Sequence, residues 1–577
     1  MNIKEFLNDQ VLQVLKSLGY DTKDALVSRS GRPELSDYQS NAAMPLAKQA
    51  HKSPREIAAQ IAAELEKKDF ISKVSVDGPG FINISLTDDF LANVPVDEVK
   101  PTGRTIIIDY GGPNIAKELH VGHLRSAIIG ESVKRIMRAS GDKVIGDVHF
   151  GDWGTPIGML ATQLKHEQPE LAYFKEPFKK TDFEMSIEEI SALYRRASAN
   201  FKEDESFKDE ARNAVFDLQN GHPGYRALWR MLHDKSVAAV KENYDHLGVD
   251  FDLWNGESDV NDILPQLVDL LTQKGLAVLS QGALIVPLPN KNNHERAPLI
   301  VKKSNGAYGY ATTDLATIIW RMEHYQPNSI IYLTDARQKE YFEQVFEVAR
   351  MADLVPETTT LEHLAFGTVN GKDGKPFKTR DGGVMSLKAL IDLALDKAYE
   401  SIPQDAEKSV ADTQAHKVAL GALKFQDLKN STASDYIFDT DNFTKSEGKT
   451  GTYLQYAVAR INSILDKSGV TLPNIESAQI KISHPLEREL MLVLRRFPES
   501  LAEAYQHREP SVIAEYIYIL AQRFSTLYAE LSINGEQDES LKLSRLRIAY
   551  LTKETLKRGL DLLGIECPDR MLKNKSC

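Results

Sequence analysis

One stretch of this chain constrains its fold more than any other: residues 109–123, which read DYGGPNIAKELHVGH. It follows a β-branched run at 105–108 that predicts a short buried strand. Apolar residues then recur at helical spacing up to Ser140 and Gly141, where a glycine takes the C-cap place. The stretch is therefore the first strand-to-helix turn of a predicted α/β unit, the place where an open parallel sheet binds phosphates and nucleotides.

The side chains in this turn favour polyphosphate binding. A helix N-terminus leaves backbone N–H groups free and carries partial positive charge. His120 and His123 would share one face of the first turn, and Gly122 lets a flat base or ribose approach the backbone. Imidazoles donate hydrogen bonds as charge develops on phosphate, and Lys117 adds a cation. No nucleophile is needed, because nucleotidyl transfer rests on positioning and charge stabilisation.

Two other interpretations of the histidines remain open: zinc ligands, or ordinary polar cap residues. No glutamate lies between them and no third ligand is evident, which argues against zinc. The strand, loop and helix around them argue against a simple cap. The two cysteines, Cys567 and Cys577, form no C-x-x-C pair, so we expect no metal site, no structural zinc and a reducing compartment.

Motifs in a fixed order along the chain resemble one known family. They are PNIAK at 113–117, HVGHLRS at 120–126, GDWGT at 151–155, YATTD at 310–314, FKTR at 377–380, YLQYA at 453–457 and Gly564-Ile565. The segment 120–123 resembles the His-x-Gly-His signature of class I aminoacyl-tRNA synthetases. The whole set resembles the arginyl-tRNA synthetases, over nearly the entire chain.

The resemblance implies an activity, a set of partners and a location. The expected reaction is ATP-dependent ligation of L-arginine to tRNA(Arg) through arginyl-adenylate, with Mg²⁺ carried on ATP and with tRNA bound before the adenylate forms. The expected protein is a cytoplasmic monomer that binds neither DNA nor membranes. No run of about 18 apolar residues is present, and Lys4, Glu5 and Asp9 in the first helix exclude a signal peptide.

The resemblance also assigns site residues. The arginine-binding positions are Asn114, Glu257, Tyr310, Asp314 and Gln338. Their chemistry suits a guanidinium, a planar fork of donors that needs carboxylate and amide oxygens. The ATP-binding and catalytic positions are His120, Gly122, His123, Lys117, Lys378 and Arg380.

The second class I signature, usually Lys-Met-Ser-Lys-Ser, departs from the pattern here. Its two lysine places hold Pro376 and Thr379. We expect Lys117, together with Lys378 or Arg380, to replace the missing charge.

A chain of 577 residues is too long for one core, and its patterning predicts an α/β multidomain protein. Residues 1–98 are predicted to form a small α+β domain that contacts tRNA. Residues 99–385 are predicted to form a doubly wound parallel, Rossmann-like catalytic domain with a helical insertion at about 185–250. Within it, 284–288 and 330–333 are predicted strands of the second half of the sheet. A helical connector at 386–450 and an all-α anticodon-binding bundle at 451–577 complete the prediction.

Several residues are candidate RNA contacts. Tyr453, Tyr456 and Arg460 could stack unpaired bases, although both tyrosines could instead belong to the core. Tyr38, Gln39 and Asn41 are the candidates in the first domain. The net charge of −12 argues against nucleic-acid binding, but residues 541–577 carry nine basic against four acidic side chains, a net +5.

Two other functions remain as alternatives. One is a synthetase for another amino acid, with lysine as the realistic competitor, since Glu257 and Asp314 exclude an apolar substrate. The other is a tRNA-binding relative without enzymatic activity, which the altered second signature favours and the two histidines oppose.

Overall fold

The computed structural model describes residues 1–94, 99–117, 119–290, 296–371, 374, 385–439 and 443–572. The chain divides into two compact units. One contains residues 1–100, 398–425 and 443–577, and the other contains residues 101–397 and 426–442. Among the described residues, none of the helices has the length and apolar character needed to cross a membrane.

Residues 1–94 form helices and one antiparallel sheet. The elements are α1 (Ile3–Ser17), β1 (Val27–Arg29), β2 (Tyr38–Ser40), α2 (Ala43–Ala50), α3 (Pro54–Leu65), β3 (Ile71–Asp77), β4 (Phe81–Leu86) and α4 (Asp88–Asn93). The strand order is β1-β2-β4-β3, with every pair antiparallel. Helix α3 begins at a reciprocal capping box between Ser53 and Glu56, as the spacing of these two residues in the sequence indicates.

The second unit contains most of the α/β elements. They are β5 (Thr105–Asp109), α5 (Val121–Ala139), β6 (Lys143–Asp147), α6 (Thr155–Glu167), α7 (Ile187–Glu203), α8 (Glu205–Gln219), α9 (Pro223–Leu247), α10 (Leu264–Gln273), β7 (Val278–Ser280), β8 (Ala283–Val286), β9 (Leu299–Lys302), α11 (Tyr310–Tyr325), β10 (Ser329–Asp335), α12 (Lys339–Met351), β11 (Thr360–Phe366), β12 (Val369–Asn370) and α13 (Leu387–Tyr399). Two short 3₁₀ turns, Glu257–Ile263 and Ala336–Gln338, carry residues of the site.

Four of these strands form a parallel sheet in the order β11-β10-β5-β6. In the register, Ile331 lies opposite Ile108, and Ile108 lies opposite Gly146. The central strands are buried, as expected for parallel strands that helices cover on both faces. The parallel Rossmann-like core and the helical insertion, seen as α7, α8 and α9, confirm the predicted fold class.

One predicted strand of this sheet was wrong. Residues 284–288 contribute to β8, which lies in a separate antiparallel sheet of β7, β8 and β9. The reason is the two-residue connection between β7 and β8. Gln281 and Gly282 both have positive φ, 50° and 83°, the backbone of a tight hairpin turn that reverses the chain. The fourth parallel strand is instead β11, which the sequence analysis did not predict.

The rest of the chain is mainly helical. Its elements are α14 (Lys408–Leu428), β13 (Tyr436–Ile437), α15 (Gly451–Lys467), α16 (Leu472–Ser477), α17 (Pro485–Arg495), α18 (Phe497–His507), α19 (Pro510–Glu530) and α20 (Glu539–Leu562). Buried aliphatic and aromatic side chains at helical spacing hold α19 against α20, for example Leu520 and Leu556.

Within the first unit, the N-terminal domain is tied to the helical bundle by buried charges. Asp37 accepts two hydrogen bonds from the Arg488 guanidinium, at 2.9 and 2.8 Å. The Tyr38 hydroxyl donates to Glu499, which also pairs with Arg29 at 2.8 Å. Tyr38 is therefore fully buried, and its prediction as an RNA contact was wrong. Its partner lies so far along the chain that no local pattern revealed it.

Candidate active site

A cavity of about 900 Å³ opens where the parallel strands end. The ends of β5, β10 and β11 and the start of α5 surround it, the expected ligand position for an open α/β sheet. Its lining contains all five predicted arginine-binding residues and three predicted ATP-binding residues: Asn114, Glu257, Tyr310, Asp314, Gln338, His120, Gly122 and His123.

The two histidines form the first turn of α5. His120 is the N-cap, and its Nδ1 accepts the backbone N–H of Gly122 at 3.0 Å. The backbone N–H of His120 donates in turn to His123 Nδ1 at 3.0 Å, and the two ring centroids are 4.0 Å apart. Because both Nδ1 atoms accept, each neutral ring carries its proton on Nε2. The turn thus holds two imidazole N–H donors in a fixed orientation.

Both histidines are neutral at physiological pH. Burial, and to a smaller extent the neighbouring His120, lowers the pKa of His123 to about 3. Partial removal from water, and then the charge of Lys117, lowers the pKa of His120. The pair therefore offers hydrogen bonds without positive charge, so the charge that balances a polyphosphate must come from other residues.

A second depression of about 600 Å³ adjoins the cavity at the same helix N-terminus. Its lining is Asn114, Lys117, His120, His123, Asp335, Arg337 and Gln338. The Lys117 ammonium lies here, 5.0 Å from the centroid of the Tyr194 ring on α7. The other two predicted cations, Lys378 and Arg380, lie outside the described residues.

An acidic pocket forms another part of the cavity. Glu257 is only 8% exposed, and its Oε2 accepts the backbone N–H of Trp153 at 3.4 Å. Burial, together with the charges of Asp152 and Asp314, raises the pKa of Glu257 to about 8. A cationic ligand would reverse that effect, because it stabilises the carboxylate form.

Helix α11 presents two further predicted residues of this pocket. Tyr310 and Asp314 are one turn apart on its first turns, with Tyr310 48% exposed. Burial raises the pKa of Asp314, while the hydroxyl of Tyr341, which donates to its Oδ2, lowers it. The sequence analysis missed Tyr341, on α12. The one local feature that could have indicated it is its spacing, three residues after Gln338.

Asn114 reaches the site from the loop after β5. It forms a parallel bridge with Gly151. A Cβ atom on residue 151 would lie 2.1 Å from Asn114 Oδ1, so only glycine permits this approach. The motifs PNIAK and GDWGT therefore depend on each other, because Asn114 of the first packs directly on Gly151 of the second.

A buried arginine was also missed. Arg321, on α11, is fully buried and donates to Asp109 Oδ2 at 2.6 Å and Asp147 Oδ2 at 2.7 Å. These carboxylates end β5 and β6, so Arg321 ties together the two strand ends beneath the site. A lone arginine in a helical pattern is typical of a solvated face, which is why the sequence did not reveal it.

The candidate RNA-binding residues of α15 lie in the first unit. Tyr453 is half-buried, with its hydroxyl 3.4 Å from Ser525 Oγ, and Tyr456 is also half-buried. Arg460 is exposed, and its guanidinium lies 4.7 Å from the centroid of the Tyr528 ring. An exposed guanidinium on an aromatic face leaves its other face open to a base.

Family profiles match three consecutive parts of the chain. The profile for the arginyl tRNA synthetase N-terminal domain matches residues 4–86. The profile for the catalytic domain of class I (R) tRNA synthetases matches residues 87–440. The profile for the DALR anticodon-binding domain matches residues 454–571.

Whole proteins agree with the profiles. The arginine–tRNA ligase of Agathobacter rectalis is 43% identical over 592 residues, covering 98% of this chain and 99% of that protein. That of Alkaliphilus oremlandii is 42% identical, covering 99% of each. The crystal structure of the Plasmodium falciparum arginyl-tRNA synthetase is 25% identical with a TM-score of 0.80, covering 99% of both chains. From its motifs, its fold and these relatives, the chain belongs to the arginyl-tRNA synthetases of class I.

Proposed function

We propose how this chain carries out the arginine–tRNA ligase reaction, in which ATP activates L-arginine as arginyl-adenylate and tRNA(Arg) then receives the arginyl group. The observation that carries the proposal is one cavity that holds both a buried acidic pocket and the neutral His120–His123 pair. The pocket suits the guanidinium of the amino acid, and the helix N-terminus suits the nucleotide phosphates.

The acidic pocket would select arginine. Glu257 and Asp314 supply two carboxylates for the flat fork of N–H donors, while Tyr310 and Gln338 limit the space around it. Asn114, in the loop after β5, lines the same cavity and would hold the α-amino or carboxylate end. Lysine would be rejected because its compact ammonium cannot satisfy acceptors placed for a planar fork, which leaves buried oxygens unpaired.

The first step joins the arginine carboxylate to the α-phosphorus of ATP. A new O–P bond forms as the bond from the α-phosphorus to the bridging oxygen breaks and pyrophosphate leaves. The Nε2–H groups of His120 and His123 would stabilise the charge that develops on the α-phosphoryl oxygens. Lys117, with Lys378 or Arg380, would balance the departing pyrophosphate, and Gly122 would let the nucleotide approach the backbone.

The second step transfers the arginyl group. A ribose hydroxyl of the terminal adenosine of tRNA attacks the carbonyl carbon of the adenylate. A new C–O ester bond forms, the bond to the phosphate oxygen breaks, and AMP leaves with the hydroxyl proton lost to the phosphate or to water. The chain needs no nucleophile of its own, because both attacking oxygens belong to substrates.

Mg²⁺ is proposed to arrive with ATP rather than to reside in the protein. Among the residues that the structure describes, no three His, Cys, Asp or Glu side chains form a cluster that could hold a metal. Mg²⁺ keeps several of its waters and prefers substrate phosphates to an all-protein cage. When bound, it would neutralise the β- and γ-phosphates.

The roles of the other domains are part of the proposal. Residues 1–98 would contact tRNA, and the bundle at 451–577 would contact its anticodon through Tyr453, Tyr456 and Arg460. The DALR profile over residues 454–571 supports the second role. Action as a monomer in the cytoplasm, where tRNA is charged for translation, remains a prediction that light scattering and localisation of a tagged protein would test.

The raised pKa of Glu257 predicts a pH-dependent affinity for arginine. In the empty site most of this carboxyl is protonated at pH 7, because its pKa is about 8. Guanidinium stays charged, so its binding needs the carboxylate form and releases a proton. The KM for arginine is therefore expected to fall by roughly tenfold from pH 7 to pH 9. Steady-state charging at saturating ATP measures it, with the KM for ATP as the control. A flat profile would contradict the assignment of Glu257 to the guanidinium.

Charging of total tRNA is the direct test of the function. We expect the protein, ATP and Mg²⁺ to attach labelled arginine to tRNA and to leave labelled lysine unattached. Attachment of lysine alone would keep the class of enzyme and overturn the proposed pocket. No attachment of either, with tRNA still bound in a filter assay, would indicate a tRNA-binding relative that lacks the enzymatic activity.

A further inference from the structure

We infer that Arg337 is a triphosphate-binding residue of this site. Its guanidinium pairs with Asp335 until ATP binds, and it then pairs with the triphosphate. The inference rests on the proposed function, since it assigns a further residue to the ATP subsite. Arg337 lies in the 3₁₀ turn Ala336–Gln338, directly after the central strand β10. No motif of the sequence analysis pointed to it.

Arg337 lies where two cavities adjoin. It lines both the main cavity and the adjoining depression at the N-terminus of α5. Of the described residues that line the depression, Lys117 and Arg337 are the ones with permanent positive charge. Arg125 also lines the main cavity, but it is buried and its guanidinium is committed to Asp427 and to the carbonyl of Ser434.

A triphosphate bound at this site needs positive charge around it. His120 and His123 are neutral, so they supply donors and no charge. The two lysine places of the second class I signature hold Pro376 and Thr379. The Lys117 ammonium faces the Tyr194 ring on α7. A triphosphate at this helix N-terminus would therefore need a further cation, and the Arg337 guanidinium, directly after β10, offers a planar fork of donors.

An acidic neighbour, Asp335, already pairs with the Arg337 guanidinium. Its Nε donates to Asp335 Oδ1 and its Nη2 to Asp335 Oδ2, both at 2.8 Å. The guanidinium thus already grips one planar anion, in the geometry that also suits two phosphate oxygens. The side chain is 82% exposed, and exposed ion pairs are weak, so exchange of the carboxylate for phosphate costs little.

The backbone remains in place during this exchange. The backbone N–H of Arg337 donates separately to Asp335 Oδ1 at 2.8 Å. Asp335 therefore fixes the turn independently of the guanidinium, and only the Arg337 side chain must swing. If the Arg337–Asp335 pair had only a structural role, it would hold Gln338, the next residue, against the amino-acid pocket. Loss of the pair would then weaken the binding of arginine.

Kinetics of the variants Arg337→Ala and Arg337→Lys separate these possibilities. Lys339→Ala is the matched control, because Lys339 is an exposed cation two residues later that lines neither cavity. ATP–pyrophosphate exchange with tRNA present gives kcat and the KM values for ATP and for arginine. Equilibrium binding of Mg²⁺-pyrophosphate to the full-length protein gives a readout independent of turnover.

The expected result is a loss of about 10- to 100-fold in kcat/KM for ATP in Arg337→Ala, the effect of one charge-assisted contact. Arg337→Lys should retain part of the activity, since it keeps the charge and loses the fork. Pyrophosphate affinity should fall in parallel, while the KM for arginine and the thermal midpoint stay at the wild-type values, as they should in Lys339→Ala.

Two outcomes would overturn the assignment. Wild-type kcat/KM for ATP in Arg337→Ala would show that phosphate binding does not use this residue. A rise in the KM for arginine instead of ATP would show that the pair only positions Gln338. If the wild-type protein attaches no arginine to tRNA, the proposed function itself is wrong. This outcome is seen with the wild-type protein alone, so it is distinct from a wrong assignment of Arg337.

Discussion

Replacing His120 or His123 by alanine is expected to lower the rate of adenylate formation by roughly 100- to 1,000-fold each, the usual effect of removing one preorganised donor to a developing oxyanion. The reason is geometric. Each Nδ1 is occupied by a backbone N–H, so each ring has one donor left, which we propose acts at the phosphate. The measurement is ATP–pyrophosphate exchange in the presence of tRNA and arginine.

His120 is also the N-cap of α5, so alanine there removes a cap as well as a donor. Loss of a cap costs about 1 kcal/mol of stability. The variant His120→Asn keeps a capping acceptor and places no donor where Nε2 lies, so it should match the turnover loss without the stability loss. His324→Ala, an exposed histidine on α11, is the control and should keep wild-type activity. Loss of tRNA affinity in either variant of His120 or His123 would contradict a purely chemical role.

Replacing Asp314 by asparagine is expected to raise the KM for arginine by about 100- to 1,000-fold, because removal of one partner leaves the other charge of a buried pair unpaired. The substitution preserves volume, and the Tyr341 hydroxyl can still donate to the remaining side-chain oxygen. The KM for ATP should not change. Charging kinetics with varied arginine measure the effect, and Glu340→Gln, an exposed position on α12, is the control.

Glu257→Gln should show the same selective effect with a different pH dependence. At pH 7 the wild-type carboxyl is mostly protonated in the empty site, so glutamine resembles it. Above pH 8 the wild-type site gains its carboxylate and the variant does not, so the difference in arginine KM should widen as pH rises. An unchanged arginine KM in both variants, with a lower urea midpoint, would show that these carboxylates only support the fold.

The local elements of the fold could be predicted from the sequence because their signals are local. Helix α3 begins at its capping box, α5 ends just before Gly141, and β5 and β10 lie where β-branched runs predicted strands. In each of these, the residues that decide the element are within a few positions of one another. The strand at 284–288 was assigned to the wrong sheet, because hydrophobic periodicity predicts a strand but does not indicate which sheet it joins.

The residues of the candidate site also fall into two groups, those that the sequence could indicate and those that it could not. Residues carried by motifs, such as His120, Asp314 and Asn114, could be named in advance, and the structure places them around one cavity. Tyr341 and Arg321 carry no motif. Their importance lies in a partner on another element, Asp314 for the tyrosine and Asp109 with Asp147 for the arginine. Such partners become neighbours only after the sheet and helices have packed.

The sequence by itself determined β5, α5 and the polar turn between them, because these depend on residue type and short spacing, which act through helix caps, turns and hydrophobic periodicity. Its motifs, through their resemblance to the arginyl-tRNA synthetases, indicated the class of the protein and its substrates. Only the tertiary structure decided that the histidines are neutral, that Glu257 is protonated near pH 7, and that Tyr38 is buried against Glu499. Burial and long-range pairing set these properties, because both depend on how far the fold removes each group from water.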